Sequence, residues 1–121
     1  MKIPVEIFTP NSKRPVPVYT ERDGLIDIDG DLNLSGRSLM GITLKYGIVN
    51  GNCLLNSNKL TSLAGSPRVV TKGFYCYKNN LTSLDGCPSE VHGDFYCANN
   101  GTAFTEEDVL AVCNVKGEIY V

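Results

Sequence analysis

Five cysteines and one histidine are the residues of this 121-residue chain best suited to covalent or metal chemistry: Cys53, Cys76, Cys87, Cys97, Cys113 and His92. No two cysteines form a CxxC pair and there is a single histidine, which excludes a zinc site of the usual spacing. Cys76 and Cys97 stand 21 residues apart and could meet as a redox pair or metal site. The opposing explanation is two small buried hydrophobes in one column of a repeat, and the sequence favours it. Cys87 lies beside a turn and is expected to be the most reactive thiol, although a poor nucleophile. His92 precedes Gly93-Asp94, and Thr71, Asn50 and Asp29 hold the equivalent places, so a solvated turn explains it better than catalysis. "DIDGDLNL" offers oxygen ligands but lacks the distal Glu of a calcium loop. Asn80-Leu81-Thr82 and Asn100-Gly101-Thr102 fit the glycosylation pattern, yet repeated Asn positions followed by Thr account for both. There is no phosphate loop, nucleophile elbow or HExxH. With no acid, base and nucleophile that converge, neither an enzyme nor a cofactor nor a metal is expected.

Recognition chemistry is the alternative. Tyr75, Tyr77, Tyr96 and Tyr120, with Leu54, Lys78 and Asp94, form the candidate protein-binding set. Tyrosine is amphipathic and loses little side-chain entropy on binding, so exposed clusters of it mark protein contacts. The competing explanation is that aromatic residues favour strands and pair across neighbouring rungs.

The elements that would position these residues come from a repeat. With a 21-residue offset, Ile28-Asp29-Gly30-Asp31-Leu32-Asn33-Leu34 aligns with Val49-Asn50-Gly51-Asn52-Cys53-Leu54-Leu55, then with the rows that begin at Val70 and Val91. Val115-Lys116-Gly117-Glu118-Ile119-Tyr120-Val121 adds a fifth row at an offset of 24. Strand residues alternate faces, so Leu32, Leu34, Cys53, Leu55, Phe74, Cys76, Phe95, Cys97, Ile119 and Val121 are expected to point inward. The outward column is then Asn33, Leu54, Tyr75, Tyr96 and Tyr120, and beside it Asp31, Asn52, Gly73, Asp94 and Glu118 open toward solvent. Asn58, Asn79 and Asn100 share a column, with Arg37 in the degenerate first copy, and an Asn there can satisfy backbone groups at a bend and bond the next coil. Leu39, Leu60 and Leu81, then Ile42, Leu63 and Leu84, form two apolar columns, and Gly65/Gly86 and Pro67/Pro88 close the unit with a turn. One coil cannot bury its apolar edge, but a stack of coils makes a continuous core.

Phe74-x-Cys76-x-x-Asn79-x-Leu81-x-x-Leu84 is similar to the leucine-rich-repeat core LxLxxNxLxxL. The whole unit, V-x-G-D-F-Y-C-x-x-N-x-L-T-S-L-x-G-x-P, resembles short repeats of bacterial and tailed-phage proteins of largely unassigned function. The resemblance covers Ile28 to about Asn100, and it implies a binding scaffold with no catalytic residues to carry over. It extends to a phage-encoded inhibitor or modulator of a host protein, such as a defence enzyme, working in the cytoplasm of a bacterial or infected host cell.

The expected fold is mainly β: a right-handed, leucine-rich-repeat-like solenoid of about five parallel strand rungs in a single domain. Residues 1–27 form an N-terminal β cap, 28–101 the repeats, and 102–121 a C-terminal helix and last strand. In the cap, Lys2 to Phe8 alternate as an edge strand, Pro10, Pro15 and Pro17 surround a loop, and Val18 to Arg22 form a second short strand. Thr105-Glu106-Glu107-Asp108 starts a helix over about 106–113, with Val109, Leu110, Val112 and Cys113 as its apolar face. No apolar run approaches the roughly 18 residues of a membrane span, and the start of the chain lacks the apolar core of a signal peptide. That context, with an odd cysteine count, predicts reduced thiols. A net charge of −2 argues against nucleic acid as partner. The partner is expected to be a protein. A solenoid also ends in unpaired strands, so a homodimer through edge strands, or self-assembly through open ends, is the second reading.

Overall fold

A β-branched residue, a small polar corner and an alternating triplet recur along the chain, and the backbone turns at each corner. The computed structural model describes residues 18–121. In order, the elements are β1 (Val18–Arg22), β2 (Leu25–Asp29), β3 (Leu32–Asn33), β4 (Tyr46–Val49), β5 (Cys53–Leu54), β6 (Val69–Val70), β7 (Phe74–Tyr75), β8 (Glu90–Val91), β9 (Phe95–Tyr96), α1 (Glu106–Leu110), β10 (Asn114–Val115) and β11 (Ile119–Tyr120). Two sheets result, one ordered β1-β2-β4-β6-β8-β10 and the other β11-β9-β7-β5-β3. Every strand pair is parallel except β1–β2. The chain is therefore a β-solenoid of about five turns, mostly β with one small helix.

Each row of the repeat supplies two strands, where the sequence pattern gave one. The corner residues cause the split. Asn52 N donates to Asp31 Oδ1 at 2.7 Å, Gly73 N to Asn52 Oδ1 at 2.9 Å, and Glu118 N to Asp94 Oδ1 at 2.8 Å. A carboxylate or amide oxygen thus meets the corner N–H of the following coil, where the backbone ladder is interrupted. This column was expected to be open to solvent. In the structure it carries a side-chain ladder.

The core sits between the sheets. Leu32, Cys53, Phe74 and Phe95 are in register on the second sheet and fully buried, as are Leu34, Leu55 and Cys76, with Cys97 nearly so. Val49, Val70 and Val91 close it from the first sheet, and Leu60, Leu63, Leu81 and Leu84 from the remaining side. Phe74 and Phe95 pack with ring centroids 5.1 Å apart and planes tilted 49°, an arrangement that adds about 0.5–1.5 kcal/mol to area burial. Two residues expected inside differ: Ile119 is half-buried and Val121 is exposed, because among the described residues no further coil covers this one.

The Asn column joins coils through their backbones. Asn79 Oδ1 accepts from Leu60 N, and its Nδ2 donates to Leu55 O, Cys76 O and Tyr77 O. Asn58 and Asn100 repeat the pattern one coil earlier and one later. The bonds run to the preceding coil, not to the Asn of the next. Before each of these positions the chain is left-handed, at Gly36, Ser57, Lys78 and Asn99, with φ of 65°, 59°, 56° and 55°. In the first copy Arg37 Nη2 donates to Asn33 O, at 2.9 Å.

At the start of the described chain, β1 and β2 form a hairpin through Asp23 and Gly24. Both have positive φ, 53° and 78°, the signature of a two-residue turn matched to strand twist. Val18–Arg22 is the strand expected there, while the strand expected at residues 2–8 and the Pro-rich loop lie outside the described residues. Asp27 tethers the hairpin: it binds Arg22 at 3.0 Å and accepts Ile48 N–H from the next coil at 2.8 Å.

Helix α1 has the predicted capping box, Thr105 Oγ1 with Asp108 N and Asp108 Oδ2 with Thr105 N. It ends at Leu110, short of 113. Val109 and Cys113, four residues apart on one face, are buried, whereas Leu110 and Val112 are exposed. The expected apolar face is narrower by those two residues.

Candidate protein-binding face

In-register parallel strands place residues of one column about 4.8 Å apart, close to the centroid separation of offset-stacked rings. Asn33, Leu54, Tyr75, Tyr96 and Tyr120 occupy one such column across β3, β5, β7, β9 and β11. The rings of Tyr75 and Tyr96 stack with centroids 4.6 Å apart and planes within 7°. Those of Tyr96 and Tyr120 stack at 4.5 Å and 6°. Three phenols thus form a continuous ribbon along the solenoid. Leu54 precedes Tyr75 in the column and is half-buried like Tyr75 and Tyr96, whereas Tyr120 is the most exposed of the three phenols, at 46%.

The corner ladder sets the ribbon's other edge. Asp94 Oδ2 accepts the Tyr96 hydroxyl at 3.3 Å while its Oδ1 holds Glu118 N–H. Partial desolvation, and then the Asp94 charge, push the Tyr96 phenol above its ordinary range. Where the other copies carry Asp, Asn or Glu, the Tyr75 row carries Gly73. A Cβ at Gly73 would stand 2.8–3.0 Å from the Tyr75 ring and hydroxyl, so the absent side chain lets Tyr75 lie flat.

Of the seven residues expected to form the face, Leu54, Tyr75, Asp94, Tyr96 and Tyr120 come together. Tyr77 and Lys78 do not join the ring stack. They follow β7 at the bend, Tyr77 half-buried and Lys78 exposed in the left-handed conformation. Missing from that set is Glu118, in the Asp94 column of the neighbouring strand row, its backbone N–H on Asp94. The 24-residue offset of the last row was the signal for it.

The other candidate chemistry is dispersed. His92 meets Glu90 at 3.4 Å, both partly exposed. All five cysteines are free. Burial pushes Cys53 and Cys76 well above the ordinary thiol range and Cys97 up to about 11. Cys87 was expected to be the reactive thiol. Its hydrogen bond with Cys113 pushes it up, and the same bond holds Cys113 down. Among the described residues no group of three His, Cys, Asp or Glu could hold a metal ion, and no helix is long and apolar enough to cross a membrane.

No family model, no curated protein and no solved structure matches the chain.

Proposed function

We propose that the chain is a non-catalytic protein-binding module that engages its partner through the tyrosine ribbon of the second sheet. The observation that carries this reading is the Tyr75–Tyr96–Tyr120 stack. Stacked rings have already given up their rotamer freedom, so a partner that meets their edges and hydroxyls orders little on binding. Tyr, with Trp and Arg, is also enriched at the energetic centres of interfaces. Asp94 and Glu118 line one border of the ribbon and Leu54 extends it, an aromatic strip with an acidic rim. The partner is a protein, with no nucleic acid or membrane. The repeat's likeness to bacterial and tailed-phage proteins points to the cytoplasm of a bacterial or infected host cell, with a host defence protein as one version of the partner.

The test is affinity capture from bacterial lysate with the tagged chain, followed by mass spectrometry, on the wild type and a Tyr75→Ser/Tyr96→Ser double variant. The expected result is a specific protein captured by the wild type and lost with the variant, while circular dichroism and cooperative urea unfolding persist. Undiminished capture by the folded variant would sink the proposal.

A further inference from the structure

The two ends of the solenoid are finished differently. At one end the hairpin adds the antiparallel strand β1 to the first sheet, and Arg37 donates to the Asn33 carbonyl on the edge of the second. At the other end β10 and β11 are the last strands of their sheets, and among the described residues no strand pairs with their outer edges.

Hydrogen bonds already made show which groups on that edge point away. Asn114 N and Lys116 N donate inward to Ser89 O and Val91 O, and Gly117 N to Gly93 O. Glu118 O and Tyr120 O accept inward from Phe95 N and Cys97 N. Strand alternation then turns the N–H and C=O of Val115, and those of Ile119, outward. Both side chains are half-buried at the uncovered end of the core.

We propose that this end docks a second copy of the chain about a two-fold axis through Gly117, with β10 of each copy antiparallel to β11 of the other. The residues around Gly117 are self-complementary in that register. Val115 faces Ile119 of the second copy, and both carry outward backbone groups, so they form the kind of antiparallel pair that exchanges two N–H···O bonds. Symmetry doubles this to four. Their half-buried side chains meet over the core end. Lys116 faces Glu118 of the second copy, again twice. Both are exposed, and among the described residues the ion pairs are Arg22–Asp27 and His92–Glu90, so neither is engaged. The Cβ direction of Gly117 points inward, to Asp94 and Gly93 of the preceding coil, so nothing from this position stands between the copies at the axis. A surface that complements itself in hydrogen bonds, apolar contact and charge is the requirement for an isologous dimer.

Sedimentation equilibrium of the full chain at low salt, across a wide concentration range, tests this. A reversible monomer–dimer equilibrium is expected. Lys116→Glu and Glu118→Lys should each weaken it about tenfold, because each puts two like-charge contacts at the axis. The double exchange K116E/E118K should restore it to near the wild-type value. Ile119→Pro removes an N–H that no bond among the described residues uses, and should abolish the dimer with circular dichroism unchanged. A monomer at every concentration overturns the proposal. A dimer that ignores the charge reversals does so too, since another surface must then be joining the copies.

Discussion

Asn79 binds two coils with one carboxamide. It fills the Leu60 N–H and holds carbonyls at Leu55, Cys76 and Tyr77, all from a position only 6% exposed. Asn79→Ala leaves the Leu60 N–H without its acceptor, at about 1–3 kcal/mol, and removes one of two donors from each carbonyl, since Asn58, Asn100 and Ser57 still donate to Leu55 O, Cys76 O and Tyr77 O. A total loss of roughly 2–4 kcal/mol is expected, read from the midpoint of urea unfolding. The column was legible because Asn recurs at fixed spacing before a leucine pair. The direction of its bonds was not, since the offset alone leaves the preceding and following coils equivalent. The tyrosine column was legible in the same way, and the 24-residue offset placed Tyr120 in it. Tyr77 was assigned to the face as the far end of a strand that in fact stops at Tyr75. Cys87 was singled out for its place beside a turn, whereas its neighbour Cys113 lies 26 residues on and past the helix, a contact that no spacing announced.

At the scale of elements, the corners carry what the sequence hid. Two-residue strands have no periodicity of their own, so the apolar pattern ran straight through a bend. The corner is visible only when Asp31, Asn52 and Asp94 are seen to accept the N–H of the next coil. The helix start was written in its capping box, whereas its end depended on which of four apolar residues faced the core. The β1–β2 hairpin is tied by Asp27, whose carboxyl the Arg22 hydrogen bonds and the Ile48 N–H hold below the ordinary value of 3.8. A carboxyl with a lowered folded pKa contributes stability above its unfolded value, and that contribution is lost as the pH falls through the folded one. Asp27→Asn should therefore be less stable than the wild type at neutral pH. The difference should close as the pH drops from about 4 toward 2, measured by urea unfolding at each pH. A gap that stays constant across this range would mean that the ionised pair contributes nothing.

The molecule as a whole is close to a one-dimensional object. Each interior coil meets its neighbours through the same two sheets and the same Asn contacts, so architecture was the most legible property of the sequence. Coils of this kind should be interchangeable. Duplicating residues 58–78, which span one period from Asn58 to Lys78, should give a folded chain with one more coil, because Lys78 then precedes an Asn as it does natively. Its denaturant slope should rise by about one sixth, in proportion to the surface added. A variant that aggregates or unfolds without cooperativity would show that the coils are individually matched. The ends were read from local signals instead of the period: Arg37 as the exception in the Asn column, and α1 from its capping box.

The backward reach of the Asn side chains also sets an order of assembly. Asn58 donates to Leu34 O, Asn79 to Leu55 O and Asn100 to Cys76 O, each 24 residues nearer the start of the chain. On a ribosome, every coil is therefore latched by an amide that emerges about one coil later, onto backbone already outside the exit tunnel. Folding can keep pace with synthesis like a ratchet, and no coil has to wait for the whole polypeptide before it is fastened to the one before.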